Sequence, residues 1–378
     1  MLLLSRGGDI SGEQRQLLYL IRGLDRGRYT PIVLSTRGGQ FQSELRTLGV
    51  EHYIRPLAGW RKGKCLLHRY RDAAYVKALA RSEGVSLVHC SDVWLSEYAL
   101  RAARGANIPA VLHVRAPLSR RQAWKLRCHR ATRVVVISNR VRMRLGQTKC
   151  VPPDRMVLIH DAVDAEAFVP LPAGTDGNVL HASYGTAGKV LVGIVGRVQP
   201  AKDQLSFVRI AEAVLTKTNR AAFFIIGEAK DKSYAAKITQ YLQDHGLSEH
   251  IHFTGRRNDI APVLASLDIL VSLSGGSVRY EAMMCGLAVV CAWSRSEEES
   301  HHIRHGETGF LVTETDNSAL TDTLLEVIED DTRRRCVGDN ARTWAQQHLS
   351  HAQLVRDTQA LYDQLLHNAA QQPVNRWS

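Results

Sequence analysis

The sequence predicts an α/β chain made of two doubly wound parallel-sheet domains facing across a cleft. Short, continuously apolar runs alternate with amphipathic helical stretches along almost all of the 378 residues. Strands read this way when helices cover both faces of a parallel sheet. The pattern breaks once, near residues 170–185, where two prolines and three glycines accompany little periodicity, and then it restarts. The length also exceeds what one hydrophobic core ordinarily fills.

In the first half the expected strands are 2–5, 31–35, 52–54, 85–90, 110–114, 133–138 and 156–160, with amphipathic stretches such as 13–24 and 70–83 between them. After the break come strands at 189–195, 221–226, 251–253, 269–273 and 288–292, with helices near 204–216, 234–245, 260–265 and 278–285. The tail reads as helices only, at 318–328, 332–348 and 351–367. The expected boundaries are a first domain over 1–170, a linker over 171–187 and a second domain over 188–350. A closing helix within 351–378 is expected to pack back on the first domain.

Composition narrows the function classes. Hydrophobic residues make up 44% and charged residues 23%, the mix of a folded, soluble chain. No apolar run approaches the ~18 residues a membrane-spanning helix needs. The apolar start, M-L-L-L-S-R, is too short for a signal peptide, so a cytoplasmic protein is expected. Seven cysteines form no C-x-x-C, which argues against structural zinc and a disulfide framework.

The net charge of +12 is unevenly spread. Residues 1–170 hold 29 Lys+Arg against 13 Asp+Glu, and the remainder 20 against 24. Cations cluster over 61–71 and 115–133. A solvated basic surface, an anionic membrane surface or an anionic acceptor would each suit such a body. Nucleic acid ranks last, because no basic–aromatic nucleic-acid module accompanies the charge.

Two segments carry candidate chemistry. A strand runs into G-R-V-Q-P-A-K-D at 196–203 and then a helix. Gly196 permits a tight turn, and Arg197, Lys202 and a helix N-terminus follow at once, a setting that favours a diphosphate. A plain strand–helix turn with two surface cations is the alternative. Farther on, Gly275 and Gly276 precede a helix whose acid, Glu281, sits about one turn in. Amides at Gly276, Ser277 and Val278 suit a phosphate, and Glu281 suits ribose hydroxyls. Glu281 would equally complement the helix dipole.

Together these segments resemble the retaining glycosyltransferases of family 4 ("glycosyl transferases group 1"), which have the GT-B fold of two Rossmann-like domains. The resemblance is carried by G-R-V-x-P-x-K at 196–202, E-A-M-M-C-G-L-A-V-V at 281–290 and H-G-E-T-G-F-L-V at 305–312. Supporting pieces are Thr254-Gly255 with Asn258-Asp259-Ile260, G-E-Q-R at 12–15 and V-L-I-H-D-A-V-D at 157–164. The resemblance implies that Arg197 and Lys202 neutralise a donor diphosphate. Gly196, Gly275, Gly276, Ser277 and Val278 would line it, and Glu281 would hold the ribose. Gly255, Arg256 and Asn258 would lie near the base, and Gly12 would face the diphosphate from the first domain. His113, at a strand end, matches an acceptor-side histidine; a strand-end histidine in a basic patch is its plainer reading.

The implied activity is metal-independent, retaining transfer of a sugar from a UDP-, GDP- or ADP-sugar to a saccharide or lipid-linked acceptor. No D-x-D occurs in the chain, which argues against a Mg²⁺-bridged donor, and no cofactor is expected. The basic first domain would approach an acceptor at the inner membrane face, in cell-envelope or exopolysaccharide assembly. One departure stands out. The family's E-x7-E pairs its second acid with a first acid eight positions before it in the loop, and Leu273 stands at that spacing from Glu281 here, in a segment about four residues short. The triplet Glu297, Glu298 and Glu299 follows the next strand and reads best as a solvated helix start. The lost acid motivates two rivals: a catalytically silent nucleotide-sugar-binding protein and, more weakly, a nucleotide-sugar epimerase of the same fold.

Overall fold

The computed structural model describes residues 1–60, 66–172, 178–274, 276–293, 303–313 and 317–371. The chain divides into two compact units, one of Met1–Ala162 with His351–Ser378 and one of Val163–Ser350.

Unit 1 alternates strand and helix: β1 (Leu2–Gly7), α1 (Gly12–Gly23), β2 (Ile32–Arg37), α2 (Gln40–Thr47), β3 (Glu51–Ile54), α3 (Leu66–Ser82) and β4 (Val88–Cys90). Then follow α4 (Ser96–Ala106), β5 (Ala110–Val114), α5 (Arg120–Lys125), β6 (Arg133–Val136), α6 (Asn139–Gln147) and β7 (Met156–Leu158). The strands form one parallel sheet in the order β3-β2-β1-β4-β5-β6-β7. Side chains alternate between two cores: Leu2 and Leu4 enter one and Leu3 the other. That is why the strand reads as an unbroken apolar run.

Unit 2 repeats the plan with α7 (Val179–Tyr184), β8 (Val190–Val195), α8 (Gln204–Leu215), β9 (Ala221–Ile226), α9 (Lys232–Asp244), β10 (Ile251–Gly255) and α10 (Ile260–Ala265). It continues with β11 (Ile269–Ser272), α11 (Val278–Met284), β12 (Ala288–Trp293), β13 (Phe310–Thr313), α12 (Asn317–Glu329) and α13 (Asp331–His348). Its sheet order is β10-β9-β8-β11-β12-β13, parallel throughout. Val190, Val192 and Ile194 face one core and Leu191 the other.

The last helix, α14 (His351–Gln371), belongs to unit 1. His351 stacks on Tyr19 with ring centroids 3.7 Å apart, and Tyr362 is fully buried beside His89. Arg28 and Tyr29 both reach Asp363.

Two expectations are corrected. The units do not divide at the expected linker over 171–187, of which residues 173–177 lie outside the described residues: the division falls at Ala162/Val163. Val163 and Phe168 are buried in a unit 2 core with Leu180 of α7, and the Val163 amide donates to Leu349 O at 2.8 Å. The amphipathic anchors are too widely spaced there to show as periodicity. The strands expected for the second half end at 288–292 and omit one, because β13 adds a parallel edge strand to β12 ahead of the helical tail. Three of the four residues of β13 lie inside the 305–312 motif, a run too short to declare a strand. Among the described residues, no helix is long and apolar enough to cross a membrane.

Candidate functional site

In unit 2 β10 ends at Gly255, Gly227 and Gly196 directly follow its neighbours β9 and β8, and Gly276 lies beyond β11. The Gly196 amide donates to Ile226 O at 2.9 Å and the Gly227 amide to Gly255 O at 3.0 Å, so these strand ends lie side by side. At Gly227 φ is +150°, and a Cβ would stand 2.1 Å from Gly196 O. Only glycine fits there. The carboxyl edge of this sheet is thereby stripped of side chains, which leaves backbone groups approachable.

Lys202 lies across that edge. It ends a short 3₁₀ turn, Pro200–Lys202, ahead of α8. A Cβ at Gly196 would touch its aliphatic stem at 3.5 Å, and one at Gly276 would lie 3.4 Å from its Nζ. The turn is held from within: buried Gln204 donates Nε2 to Arg197 O at 3.1 Å and accepts from the Gln199 amide at 3.4 Å. The Arg197 side chain is exposed. Burial first, then the charges of Arg197 and Arg279, hold Lys202 below the ordinary lysine range. Three cations therefore converge where a ligand would meet bare backbone, and an anion there relieves their repulsion.

Arg279 was not singled out in the sequence. It is 7% exposed, donates Nε to Gly276 O at 3.2 Å and lies 5.5 Å from the Tyr280 ring centre. Its charge sits inside the E-A-M-M motif's helix, where apolar neighbours disguise it. Gly227 was missed for another reason: its demand comes from a neighbouring strand, not from its own segment.

Of the other expected residues, Gly276 and Ser277 are exposed and Ser277 caps α11, with Val278 its first residue and Glu281 half-buried in the first turn. Gly255 is exposed at the end of β10, and Arg256 and Asn258 are exposed on the loop after it. Gly275 and the triplet 297–299 lie outside the described residues. Leu273 packs against the core of the unit, so no acid replaces the missing one at that position. The rest of the 281–290 motif is packing: Met283 and Met284 are fully buried, and Gly286 O would lie 2.1 Å from a Cβ on Gly338 of α13.

In unit 1 the strand edge is built differently. His113 of β5 is 5% exposed and stacks on His89 of β4, centroids 5.6 Å apart. Arg115, ion-paired with Asp161, places Nη2 3.4 Å from His113 Nδ1. A guanidinium only donates, so Nδ1 accepts and the ring proton is on Nε2. Burial, then Arg115 and His89, push His113 well below the usual histidine range. Burial and Arg115 push His89 down to about 3. Both rings are neutral, and His113 offers a donor, not a base. Among the described residues His113 Nε2 has no hydrogen-bond partner. Gly12 opens α1, and nothing lies within 4 Å of where its Cβ would stand, so it leaves open space ahead of the helix. Next to it, burial raises the Glu13 carboxyl, which accepts from Ser5 Oγ at 2.9 Å.

Two parallel-sheet units with a glycine-edged, cationic strand–helix turn define a GT-B protein. Residues 180–344 match the family model of glycosyl transferases group 1, and residues 10–167 match that of Glycosyltransferase Family 4. The two matches take in most of the chain, which belongs to this glycosyltransferase family. A lipopolysaccharide core biosynthesis mannosyltransferase, LpcC, of Rhizobium leguminosarum bv. viciae is 30% identical over 215 residues, 55% of this chain and 60% of that protein. The N-acetyl-alpha-D-glucosaminyl L-malate synthase of Bacillus anthracis is 24% identical over 197 residues, 50% of each chain. The matches thus span only half to three fifths of these relatives' length. Among solved structures, Anabaena Alr3699/HepE in complex with UDP shares the fold at a TM-score of 0.81 and 21% identity, covering 96% of this chain and 99% of that one. A Rickettsia africae glycosyltransferase does so at 0.78 and 18%, covering 97% and 98%.

Proposed function

We propose that the chain is a metal-independent, retaining glycosyltransferase that moves a sugar from a nucleotide-sugar donor to a saccharide or lipid-linked acceptor in cell-envelope or exopolysaccharide assembly. The observation that carries this reading is Lys202, laid between two glycines with Arg197 and Arg279 around it. Such a site takes a diphosphate. Arg197 and Lys202 neutralise it, the amides of Gly276, Ser277 and Val278 cradle it, and Glu281 receives the ribose hydroxyls. Gly196 keeps the turn tight, and Gly255, Arg256 and Asn258 border the base. The bond from the sugar's anomeric carbon to the diphosphate breaks as fixed cations stabilise the leaving group. The acceptor oxygen bonds to that carbon on the same face, and its proton passes to the departing phosphate oxygen. Neutral His113 orients a hydroxyl by donating from Nε2.

The printed functions of the relatives favour envelope acceptors, and neighbours solved with UDP and UDP-glucose make UDP-sugars the first donors to try. The basic unit 1 suits a peripheral position on an anionic inner membrane face. A thermal-shift screen of UDP-, GDP- and ADP-sugars, followed by a transfer assay with the hit, tests the reading. A stabilising donor that is then transferred is the expected result. A donor that binds and is never transferred would favour the silent nucleotide-sugar-binding protein, the reading that Leu273 supports by replacing an acid. No stabilisation by any donor would remove both.

A further inference from the structure

A groove of about 1050 Å³ opens on unit 1 along α3 and α4. One wall carries Lys77 and Arg81 of α3 with Arg101 and Arg104 of α4. Arg127, Arg130 and Arg155 face them from the turns that precede β6 and β7. Among the lining residues Glu97 is the one carboxylate, and it is already committed. Its Oε1 meets Arg101 Nε at 2.8 Å and its Oε2 meets Arg127 Nε at 2.5 Å. The groove keeps a large positive excess.

The cations are held in place by the fold. Arg81 donates twice to Gly105 O, at 3.0 and 2.5 Å, and the Lys77 stem runs over Gly105, 2.5 Å from where a Cβ would stand. The Arg101 guanidinium lies 4.9 Å from the Trp60 ring centre and 5.3 Å from that of Tyr70. His129, another lining residue, stacks on exposed Trp124 and sits below the usual histidine range through burial and then the charges of Arg130 and Arg127. Burial is the larger cause, so the positive excess rests on the seven lysines and arginines that line the groove against a single carboxylate. Arg81, Arg104 and Arg155 lie where helices end and strands begin, whereas His113 lies toward the end of its strand. In a parallel α/β unit those are opposite edges.

We propose that this groove is an anion site separate from the donor site, taking a group with several phosphate oxygens, whether on a lipid headgroup or on a free phosphorylated molecule. Arginine forks bind such oxygens in pairs, and a row of them suits more than one phosphate. Exposed Tyr70 lines the groove and exposed Leu67 precedes it by one turn of α3, which gives a headgroup's lipid an apolar neighbour. The proposal does not depend on sugar transfer, since no residue assigned to donor or acceptor lines the groove.

The test uses the full chain carrying Arg197→Ala and Lys202→Ala, so that the donor turn contributes nothing to the signal. Tripolyphosphate is titrated by calorimetry, and sedimentation is measured with phosphatidylglycerol and with phosphatidylcholine vesicles. Adding Arg104→Glu and Arg130→Glu, both exposed positions, is expected to weaken tripolyphosphate binding at least tenfold. A matching loss on phosphatidylglycerol vesicles alone assigns the anion to a headgroup; vesicle binding that never exceeds that to phosphatidylcholine assigns it to a free phosphorylated molecule. Circular dichroism, and the milder Arg104→Ala with Arg130→Ala, separate loss of the site from loss of fold. Unchanged affinity for both probes, or no binding of either by the parent, would overturn the proposal.

Discussion

The two sheets share a topology and differ at their carboxyl edges. In unit 2 a glycine ends or directly follows each of three adjacent strands, and cations lie over bare backbone. In unit 1 the central strands carry a stacked pair of neutral histidines backed by Tyr362 of α14. One edge is prepared for negative charge and the other for neutral hydrogen bonding. The lesson is that one fold separates the two tasks by what it removes as much as by what it adds.

The largest expected contrast is in acid. His89 and His113 have folded pKa values below their unfolded value near 6.5, so their contribution is full above that pH and is lost as pH falls. Each withdraws up to about 1.4 kcal/mol of unit 1 stability per pH unit below 6.5, His89 down to about 3. Denaturant melts from pH 7 to pH 4 should show the slope, and replacing both with Gln should flatten it whatever the absolute stability. A slope unchanged by the double replacement would mean that these rings are not the buried neutral pair.

The glycine edge is probed next. Gly227→Ala forces a Cβ against Gly196 O and should destabilise the chain by about 3 kcal/mol, read from denaturant midpoints. A cost under about 1 kcal/mol would show that the strand ends do not meet so closely. Smaller again, Arg197→Ala or Lys202→Ala should weaken UDP or GDP binding by about 1.5–3 kcal/mol in calorimetry, without loss of fold. Lys202→Met carries a second signature. A lysine held below its usual 10.5 opposes folding while protonated, so the unliganded protein should melt slightly higher as the ligand is lost. The smallest effect expected is at the α14 anchor, where Tyr29→Phe removes the hydroxyl that reaches Asp363 and should cost about 1 kcal/mol.

The candidate site was legible where its chemistry is local. Gly196, Arg197 and Lys202 lie within one turn, and Ser277, Val278 and Glu281 begin one helix, so a linear reading finds them. Gly227 escaped because its role depends on the approach of Gly196 across strands, and Arg279 because its charge, felt by Lys202, sits among the apolar residues of the α11 motif. His89 escaped similarly: in sequence it is one more strand residue, and only pairing of β4 with β5 lays it against His113.

By itself the sequence determined the alternation of strand and helix, because burial of a parallel sheet on both faces leaves short continuous apolar runs between amphipathic helical stretches. It also determined the unequal charge of the two halves. Tertiary structure alone decided that the units part at Ala162 instead of near residue 170, and which contacts hold α14, the expected closing helix, in unit 1. Both follow from long-range packing: Val163 bonds to Leu349, and Tyr362 fills a space beside His89, its partner 273 residues away. Contacts at that separation leave no periodic trace in the chain, since neither partner's neighbours need to know of the other.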